Sequence, residues 1–155
     1  MAGQIDKRLK ELGITLPTPA KPAGNYVGHV VTGNLVFVSG QLPFEGGKIA
    51  VAGKVGKEVS IEQAQKAARI CALNTLANLR EACGGDLDRV KRCVKVGGFV
   101  NATPDFTQPP QVINGFSDLL ADVFGERARH ARFAIGTNSL PLGAAVEVDA
   151  VFEIA

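Results

Sequence analysis

The sequence predicts a single domain of the α+β class, a two-layer sandwich in which a mixed β-sheet carries two helices on one face. Three observations lead to this prediction. Short runs of alternating residues indicate strands, two longer segments repeat apolar residues at helical spacing, and glycine or proline separates the elements. The resulting order is strand, strand, long helix, strand, helix, strand, strand.

The composition is that of an ordinary globular protein. The 155 residues, 46% of them hydrophobic, are enough for one core. A net charge of +2, with basic and acidic residues interspersed and no tryptophan, argues against a nucleic-acid partner. No apolar run approaches the length of a membrane helix, and the first residues lack the apolar segment of a signal peptide. We therefore expect a cytoplasmic protein without membrane contact.

Residues 1–23 are expected to form an N-terminal arm and a proline-rich linker ahead of the core, residues 24–155. Ile5, Leu9 and Leu12 have helical spacing, and a glycine follows as a stop signal. The segment LPTPAKPAG is predicted to be extended, because each proline disfavours helix in the residue before it.

Two strands, 25–32 and 35–39, are predicted around Gly33-Asn34, a dipeptide typical of tight hairpin turns. The glycine- and lysine-rich segment 44–58 is predicted to be a β-hairpin or a mobile loop at the surface. Its paired glycines lack the spacing of a phosphate-binding loop.

Two helices follow. Ser60 begins the longer one, and its spacing to Gln63 is typical of a capping box. Its apolar face comprises Ala64, Ala68, Cys71, Ala72, Leu76, Leu79 and Cys83. The second helix begins at the proline pair 109–110 and ends at Gly125. Asn114 lies opposite its apolar stripe at about 100° per residue, so we expect Asn114 to face water, a partner subunit or a ligand.

The strand between these helices, residues 90–101, contains Gly97-Gly98, a pair that indicates a bulge or the close approach of another element. The predicted strands also offer apolar residues on both faces, for example Val36 on one and Phe37 on the other. Two helices can cover only one face, so the other favours oligomerisation.

The last two strands, within Ala131–Ile154, are predicted to pair as a β-hairpin around the loop SLPLG. A register centred on that loop places Arg132 directly beside Glu147. Two interpretations remain open: a structural salt bridge on a wet sheet face, or a binding site formed by a guanidinium and a carboxylate.

The three cysteines, Cys71, Cys83 and Cys93, are predicted to be small buried hydrophobes rather than reactive thiols. They have no metal-binding spacing, and His29 and His130 are far apart in the sequence. No metal site is expected.

Three stretches resemble the Rid/YjgF family of reactive-intermediate deaminases, whose members also carry the name endoribonuclease L-PSP. They are GNLVFVSGQLP at 33–43, ARFAIG at 131–136 and LPLGAAVEVDA at 140–150. The resemblance extends from about residue 24 to the C-terminus. It implies a chorismate-mutase-like homotrimer with clefts between subunits. It also implies hydrolysis of 2-imino and enamine acids to 2-keto acids and ammonia, without a metal or organic cofactor.

The same resemblance implies roles for five residues. Arg132 would bind the substrate carboxylate, and Glu147 would orient water. Tyr26 would close the cleft, the backbone at Gly40 would approach the ligand, and Asn114 would contribute from the second helix. Two alternatives are a non-catalytic trimer that binds small carboxylates and an endoribonuclease.

The sequence departs from the family pattern in two places. Ala134 stands where many members have a cysteine, which excludes thiol chemistry at that position but does not affect hydrolysis by water. The N-terminal arm and the insertion at 44–58 are missing from many shorter members, so the chain resembles a longer subgroup. The fold is a firmer inference than the substrate.

Overall fold

Five strands form a mixed sheet with two long helices on one face in the computed structural model, which describes residues 3–155. The helices are α1 (Gln4–Glu11), α2 (Ile61–Ala82) and α3 (Pro109–Phe124). The strands are β1 (His29–Thr32), β2 (Leu35–Gln41), β3 (Phe44–Glu45), β4 (Lys48–Ile49), β5 (Val90–Asn101), β6 (Ala131–Thr137) and β7 (Val146–Ile154). The predicted α+β class with a mixed sheet is confirmed, and α1 is a third helix. Across residues 3–155, no helix has the length and apolar character needed to cross a membrane.

The strand order is β1-β2-β7-β5-β6, so β5 lies between the last two strands of the chain. β6 runs parallel to β5, whereas the other neighbouring strands are antiparallel. The predicted hairpin within Ala131–Ile154 is therefore wrong. Helix α3 carries the chain from the end of β5 back to the start of its neighbour, which makes β6 parallel. A short 3₁₀ turn at Pro141–Gly143 then precedes β7 on the other side of β5.

Two adjacent glycines of β5 allow close packing on both sides of the sheet. A Cβ atom on Gly98 would lie 2.6 Å from Cγ1 of Ile113 in α3. On the opposite side, a Cβ atom on Gly97 would lie 2.7 Å from the ring of Phe133 in β6. The close approach predicted for this pair is confirmed, and no larger residue fits without displacing α3 or β6.

The core lies between the sheet and helices α2 and α3. The predicted capping box forms: Ser60 Oγ accepts from the Gln63 backbone N–H at 3.1 Å, and Gln63 Oε1 accepts from the Ser60 N–H at 2.9 Å. The apolar residues predicted for α2 and α3 are buried. Cys71, Cys83 and Cys93 are buried with them, and burial raises the pKa of each thiol, to about 12 for Cys93.

Helix α1 is capped from a distant part of the chain. The Asp88 carboxylate accepts hydrogen bonds from the backbone N–H groups of Gln4 at 2.9 Å and Ile5 at 2.8 Å. These are donors that the start of a helix leaves unpaired. The N–H groups of Ile5 and then Gln4 lower the pKa of Asp88. Burial of Ile5 and Leu9 in the core completes the anchoring of the arm.

The glycine- and lysine-rich segment 44–58 is anchored to the rest of the domain. Its first part is the short β3–β4 ribbon, in line with the predicted hairpin. Its second part buries Val55, and Lys54 Nζ donates to Oδ1 of buried Asn101 at 2.9 Å. The alternative expectation of a mobile surface loop does not allow for the burial of Val55 in the core.

The sheet face opposite the helices is apolar and uncovered in the single chain, as predicted. Strand register places the side chains of neighbouring strands on this face together. Its exposed apolar residues include Val30, Phe37, Phe133 and Ile135, of which Ile135 is 48% exposed.

Replacing Asp88 with alanine is expected to release α1 without unfolding the domain, at a cost of about 1 kcal/mol, typical of a lost helix cap. Because the folded pKa is lowered, the carboxylate contributes fully above the ordinary carboxyl pKa of about 3.9. That contribution is lost as the pH falls through the lower folded value. Hydrogen exchange of residues 4–12 should therefore accelerate in Asp88→Ala at neutral pH, and in the wild type only at acidic pH.

Asp105→Asn is the matched control, because Asp105 is an exposed carboxylate far from α1 in the sequence. It should leave the exchange of residues 4–12 unchanged. Full protection of α1 in Asp88→Ala would show that the buried side chains alone hold the arm.

Candidate functional site

A groove of about 780 Å³ opens beside the end of β2. One wall comes from the linker, residues 15–23, and another comes from α2. Three of the sequence-predicted site residues line this groove: Tyr26, Gly40 and Glu147. The fold thus brings these three together within one chain.

Glu147 is half-buried in the groove, on the uncovered face of β7. β2 shifts register between Val38 and Gln41, and within this irregularity Gly40 lies against the carboxylate. A Cβ atom on Gly40 would lie 2.6 Å from Oε1 of Glu147, so a larger residue would displace the carboxylate. Burial raises the pKa of Glu147, and the negative charge of Asp149 raises it further. A half-buried carboxyl group with a raised pKa is suited to proton transfer.

Two exposed side chains line the groove. Tyr26 is 57% exposed, and Leu142, in the 3₁₀ turn before β7, is 69% exposed. Among residues 3–155, Leu142 is the one non-glycine residue with a positive φ, 59°. This left-handed backbone costs a leucine roughly 1–2 kcal/mol. Such strain clusters at functional sites, so Leu142 joins the candidate site residues.

Arg132 and Asn114 lie together at the other edge of the sheet. Arg132 is on the helix-covered side of edge strand β6, opposite Val96. Its Nη1 donates to Oδ1 of Asn114 at 3.0 Å and to Oγ of Ser117 at 3.1 Å, and Nη2 donates to the Pro110 carbonyl at 3.3 Å. A guanidinium has five N–H donors, so part of the fork remains for a ligand. Asn114 is exposed, as its helical position predicts.

Ser117 and His130 extend this network, and the sequence analysis did not assign them to the site. His130 Nδ1 lies within hydrogen-bond distance of the Ala128 carbonyl, which can only accept, so Nδ1 carries the proton. In the neutral ring, Nε2 then accepts from the Ser117 hydroxyl at 3.0 Å, while that hydroxyl accepts from Arg132. The sequence signal is spacing: Ser117 lies one helical turn after Asn114, and His130 lies two residues before Arg132.

The predicted pairing of Arg132 with Glu147 is wrong, both as a salt bridge and as a binding pair within one chain. Arg132 lies opposite Val96 and Glu147 opposite Phe99, with β5 between their strands. Their side chains lie on opposite faces of the sheet, and strand spacing places their Cα atoms about 14 Å apart. One chain therefore cannot present both groups to one small substrate.

Comparison with known proteins gives a match over nearly the whole chain. Residues 6–154 match the family described as YjgF/chorismate mutase-like, putative endoribonuclease. Protein TCP17 of Trypanosoma cruzi is 48% identical to this chain, over 99% of this chain and 96% of its own length.

Two crystal structures have the same fold. The protein Atu1372, with unknown function, from Agrobacterium tumefaciens has a TM-score of 0.91 at 52% identity, covering 97% of this chain and 92% of its own. A putative endoribonuclease from Shewanella oneidensis has a TM-score of 0.93 at 32% identity, covering 98% of this chain and 100% of its own. The sequence motifs, the fold and these matches agree, and the chain belongs to the YjgF/chorismate mutase-like family.

Proposed function

We propose that the protein is a hydrolytic deaminase that converts reactive 2-imino and enamine acids to 2-keto acids and ammonia. Arg132 binds the substrate carboxylate, Glu147 activates water, and Tyr26, Gly40 and Asn114 complete the substrate site. The observation that carries the proposal is the Arg132 guanidinium, which three hydrogen bonds hold against α3 while part of its donor fork stays free of partners within residues 3–155. An arginine held in this way can grip a carboxylate through two parallel hydrogen bonds.

A homotrimer with clefts between subunits would bring the two parts of the site together. Arg132 and Glu147 are too far apart in one chain, and they lie on opposite faces of the sheet. The uncovered apolar face, which includes Phe37 and Phe133, favours burial against further copies. A closed ring of three copies uses the same two surfaces at every interface. In the proposed ring, Arg132 of one subunit faces the groove of the next.

The proposed reaction is hydrolysis of a C=N bond next to a carboxylate. Bidentate binding by Arg132 fixes the imine carbon in position, which is catalysis mainly by orientation. Glu147 accepts a proton from water as the water oxygen bonds to that carbon, and the C=N π electrons move to nitrogen. An enamine acid enters the same route after it gains a proton on carbon.

Release of ammonia completes the reaction. Glu147 returns its proton to the amino nitrogen of the tetrahedral intermediate, the C–N bond breaks, and the hydroxyl proton is lost as the keto group forms. A protonated imine is already electrophilic, so this route uses no metal or organic cofactor.

The main alternative is a trimer that binds small carboxylates without turning them over. Both proposals use the Arg132 site, but only the deaminase requires Glu147. Endoribonuclease activity, which the names of several relatives mention, is less well supported because the chain has a net charge of only +2 and no tryptophan.

Arg132→Ala is expected to lower kcat/KM for 2-iminobutyrate by about 100-fold or more, because the carboxylate loses its anchor. Arg132→Lys should also lose most activity, since an ammonium lacks the planar fork. The imine is generated by an amino-acid oxidase and trapped with semicarbazide. Active protein lowers the rate of semicarbazone formation.

Arg129→Ala is the matched control, because Arg129 has an 81% exposed side chain and pairs with Glu126. It should retain wild-type activity. Full activity in folded Arg132→Ala would refute the proposed role. If 2-ketobutyrate raises the Tm of the wild type but not of Arg132→Ala, and neither protein hydrolyses the imine, the non-catalytic alternative holds.

Glu147→Gln is expected to abolish hydrolysis and to stabilise the fold at neutral pH. A raised pKa means that the folded chain favours the protonated carboxyl, so ionisation costs stability as the pH rises above the ordinary value of about 4.3. The amide removes this cost. In the wild type, kcat should rise with pH through a midpoint above that ordinary value, because the ionised carboxylate accepts the proton.

Thermal melting and activity across pH measure both effects, with Glu62→Gln as the control. Glu62 is an exposed carboxylate in the first turn of α2 and lies outside the groove. A fully active Glu147→Gln, or one with a lower Tm than the wild type at neutral pH, would contradict this account.

Mixing the two inactive variants is expected to restore activity. If each cleft takes Arg132 from one subunit and Glu147 from another, unfolding and refolding an equal mixture makes about one quarter of the clefts intact. Either variant refolded alone should stay inactive. If mass spectrometry shows that the two variants are present in the same trimers and these trimers remain inactive, the two residues do not share a cleft.

A further inference from the structure

We propose that the groove beside Glu147 contains an apolar subsite that selects 2-imino acids with an apolar side chain of four or more non-hydrogen atoms. This inference rests on the proposed function and names the substrate class of the same site. It assigns a role to Leu142 and to the linker, residues 15–23.

Leu142 has two energetically unfavourable features that the fold alone does not explain. Its left-handed backbone is unfavourable for a branched residue, and glycine or asparagine would occupy the position with less strain. Its side chain is 69% exposed although it is fully apolar. Both costs are offset if an apolar ligand covers this side chain when the groove is filled.

The groove has apolar surface on three structural elements, beside polar side chains such as Thr18, Lys21 and Asn74. The end of β2 and the start of β7 supply Ser39, Gly40 and Glu147. The linker, α2 and the turn before β7 supply Pro17, Ala20, Ile70, Leu73 and Leu142. A substrate whose reacting carbon lies beside Glu147 would therefore extend its side chain along an apolar wall.

The side-chain amide of Asn74 lines the groove but has no N–H group left for a polar ligand. Its Nδ2 donates to the carbonyls of Leu42 and Phe44, both at 3.0 Å, so both of its N–H groups are used by the chain itself. Asn78 in turn donates to the Asn74 carbonyl at 3.0 Å. The Asn74 amide thus holds the β2–β3 junction against α2 and offers a substrate no further N–H group, whereas Asn78 uses one of its two N–H groups within α2.

The size of the groove also favours a larger substrate. Its volume of about 780 Å³ falls within the roughly 300–1,000 Å³ of pockets that take drug-sized ligands. A four-carbon imino acid would leave most of this space as water against apolar side chains. A longer apolar side chain would displace that water and gain affinity.

The linker forms its wall without polar contacts. No hydrogen bond of the described structure involves residues 15–23, which are held by their two ends and by Leu16, packed against the core. At one end α1 is anchored to Asp88. At the other, Ser39 binds the carbonyls of Gly28 and Val27 at 2.9 and 2.6 Å. Pro17, Ala20 and Pro22 give this wall apolar surface for van der Waals contact with a substrate side chain, beside the polar side chains of Thr15, Thr18 and Lys21.

The first test compares substrates on the wild-type protein. Imines made by an amino-acid oxidase from leucine, methionine and 2-aminobutyrate are assayed under identical conditions. The kcat/KM for the leucine and methionine imines is expected to exceed that for 2-iminobutyrate by about tenfold or more, the effect of added methylene groups in an apolar pocket. An equal or reversed preference would overturn the subsite.

The second test removes the apolar surface at Leu142 without disturbing its backbone. Asparagine tolerates the left-handed conformation, so Leu142→Asn should fold with an unchanged or higher Tm. It is expected to lower the ratio of kcat/KM for the leucine imine to kcat/KM for 2-iminobutyrate by about tenfold. Ala20→Trp, which fills the groove from the linker, should have the same selective effect. Thr107→Trp, at an exposed position outside the groove, is its control.

The two proposals fail in different ways. If the short imine is hydrolysed without preference for the long one, and Leu142→Asn has no selective effect, the deaminase stands and the subsite is overturned. If no imine is hydrolysed, calorimetry with 4-methyl-2-oxopentanoate decides. Binding that is weakened by both Leu142→Asn and Ala20→Trp supports the subsite although the deaminase has failed, whereas unchanged or absent binding overturns both.

Discussion

The absence of side chains at Gly97 and Gly98 is the constraint on which the rest of this structure depends. Gly98 lets Ile113 approach the sheet from the helix side, and Gly97 lets the Phe133 ring cover the other side. Helix α3 and strand β6 are both placed by these contacts. The hydrogen bonds that hold Arg132 to α3 join these same two elements, so a Cβ atom on β5 would disturb the guanidinium indirectly.

The same packing explains why the candidate site is divided. β6 becomes an edge strand because α3 returns the chain parallel to β5, and its arginine then lies on the helix side. Glu147 lies on the uncovered side, in a groove that Gly40 and the linker help to line. Neutral acceptors hold the Arg132 guanidinium in place, whereas burial destabilises the ionised form of Glu147. In the proposed scheme, Arg132 binds the substrate carboxylate and Glu147 transfers the proton. One chain alone forms neither a complete cleft nor a complete catalytic site.

The sequence predicted the helices, the strands and the faces of these elements better than it predicted which strands lie side by side in the sheet. Helical spacing, the Ser60 cap and the proline pair at 109–110 predicted α2 and α3, and alternation predicted the strands. Alternation does not say which strand lies beside which, so the parallel placement of β6 and the separation of Arg132 from Glu147 could not be read from it. The hydrogen-bond network through Ser117 and His130 depends on the geometry of their side chains. The assignment of Leu142 to the candidate site depends on its left-handed backbone. Neither leaves a strong pattern in a single sequence.

The linker has a consequence for how this protein could diversify. Residues 15–23 take part in no hydrogen bond of the described chain, and Leu16 among them packs against the core, so most replacements at the other positions leave the folded domain intact. The lining of the groove can then change without altering the residues that hold Arg132 or Glu147. Selectivity and turnover would be encoded in different stretches of the gene, so duplicated copies could acquire new substrates by mutation of this short segment alone.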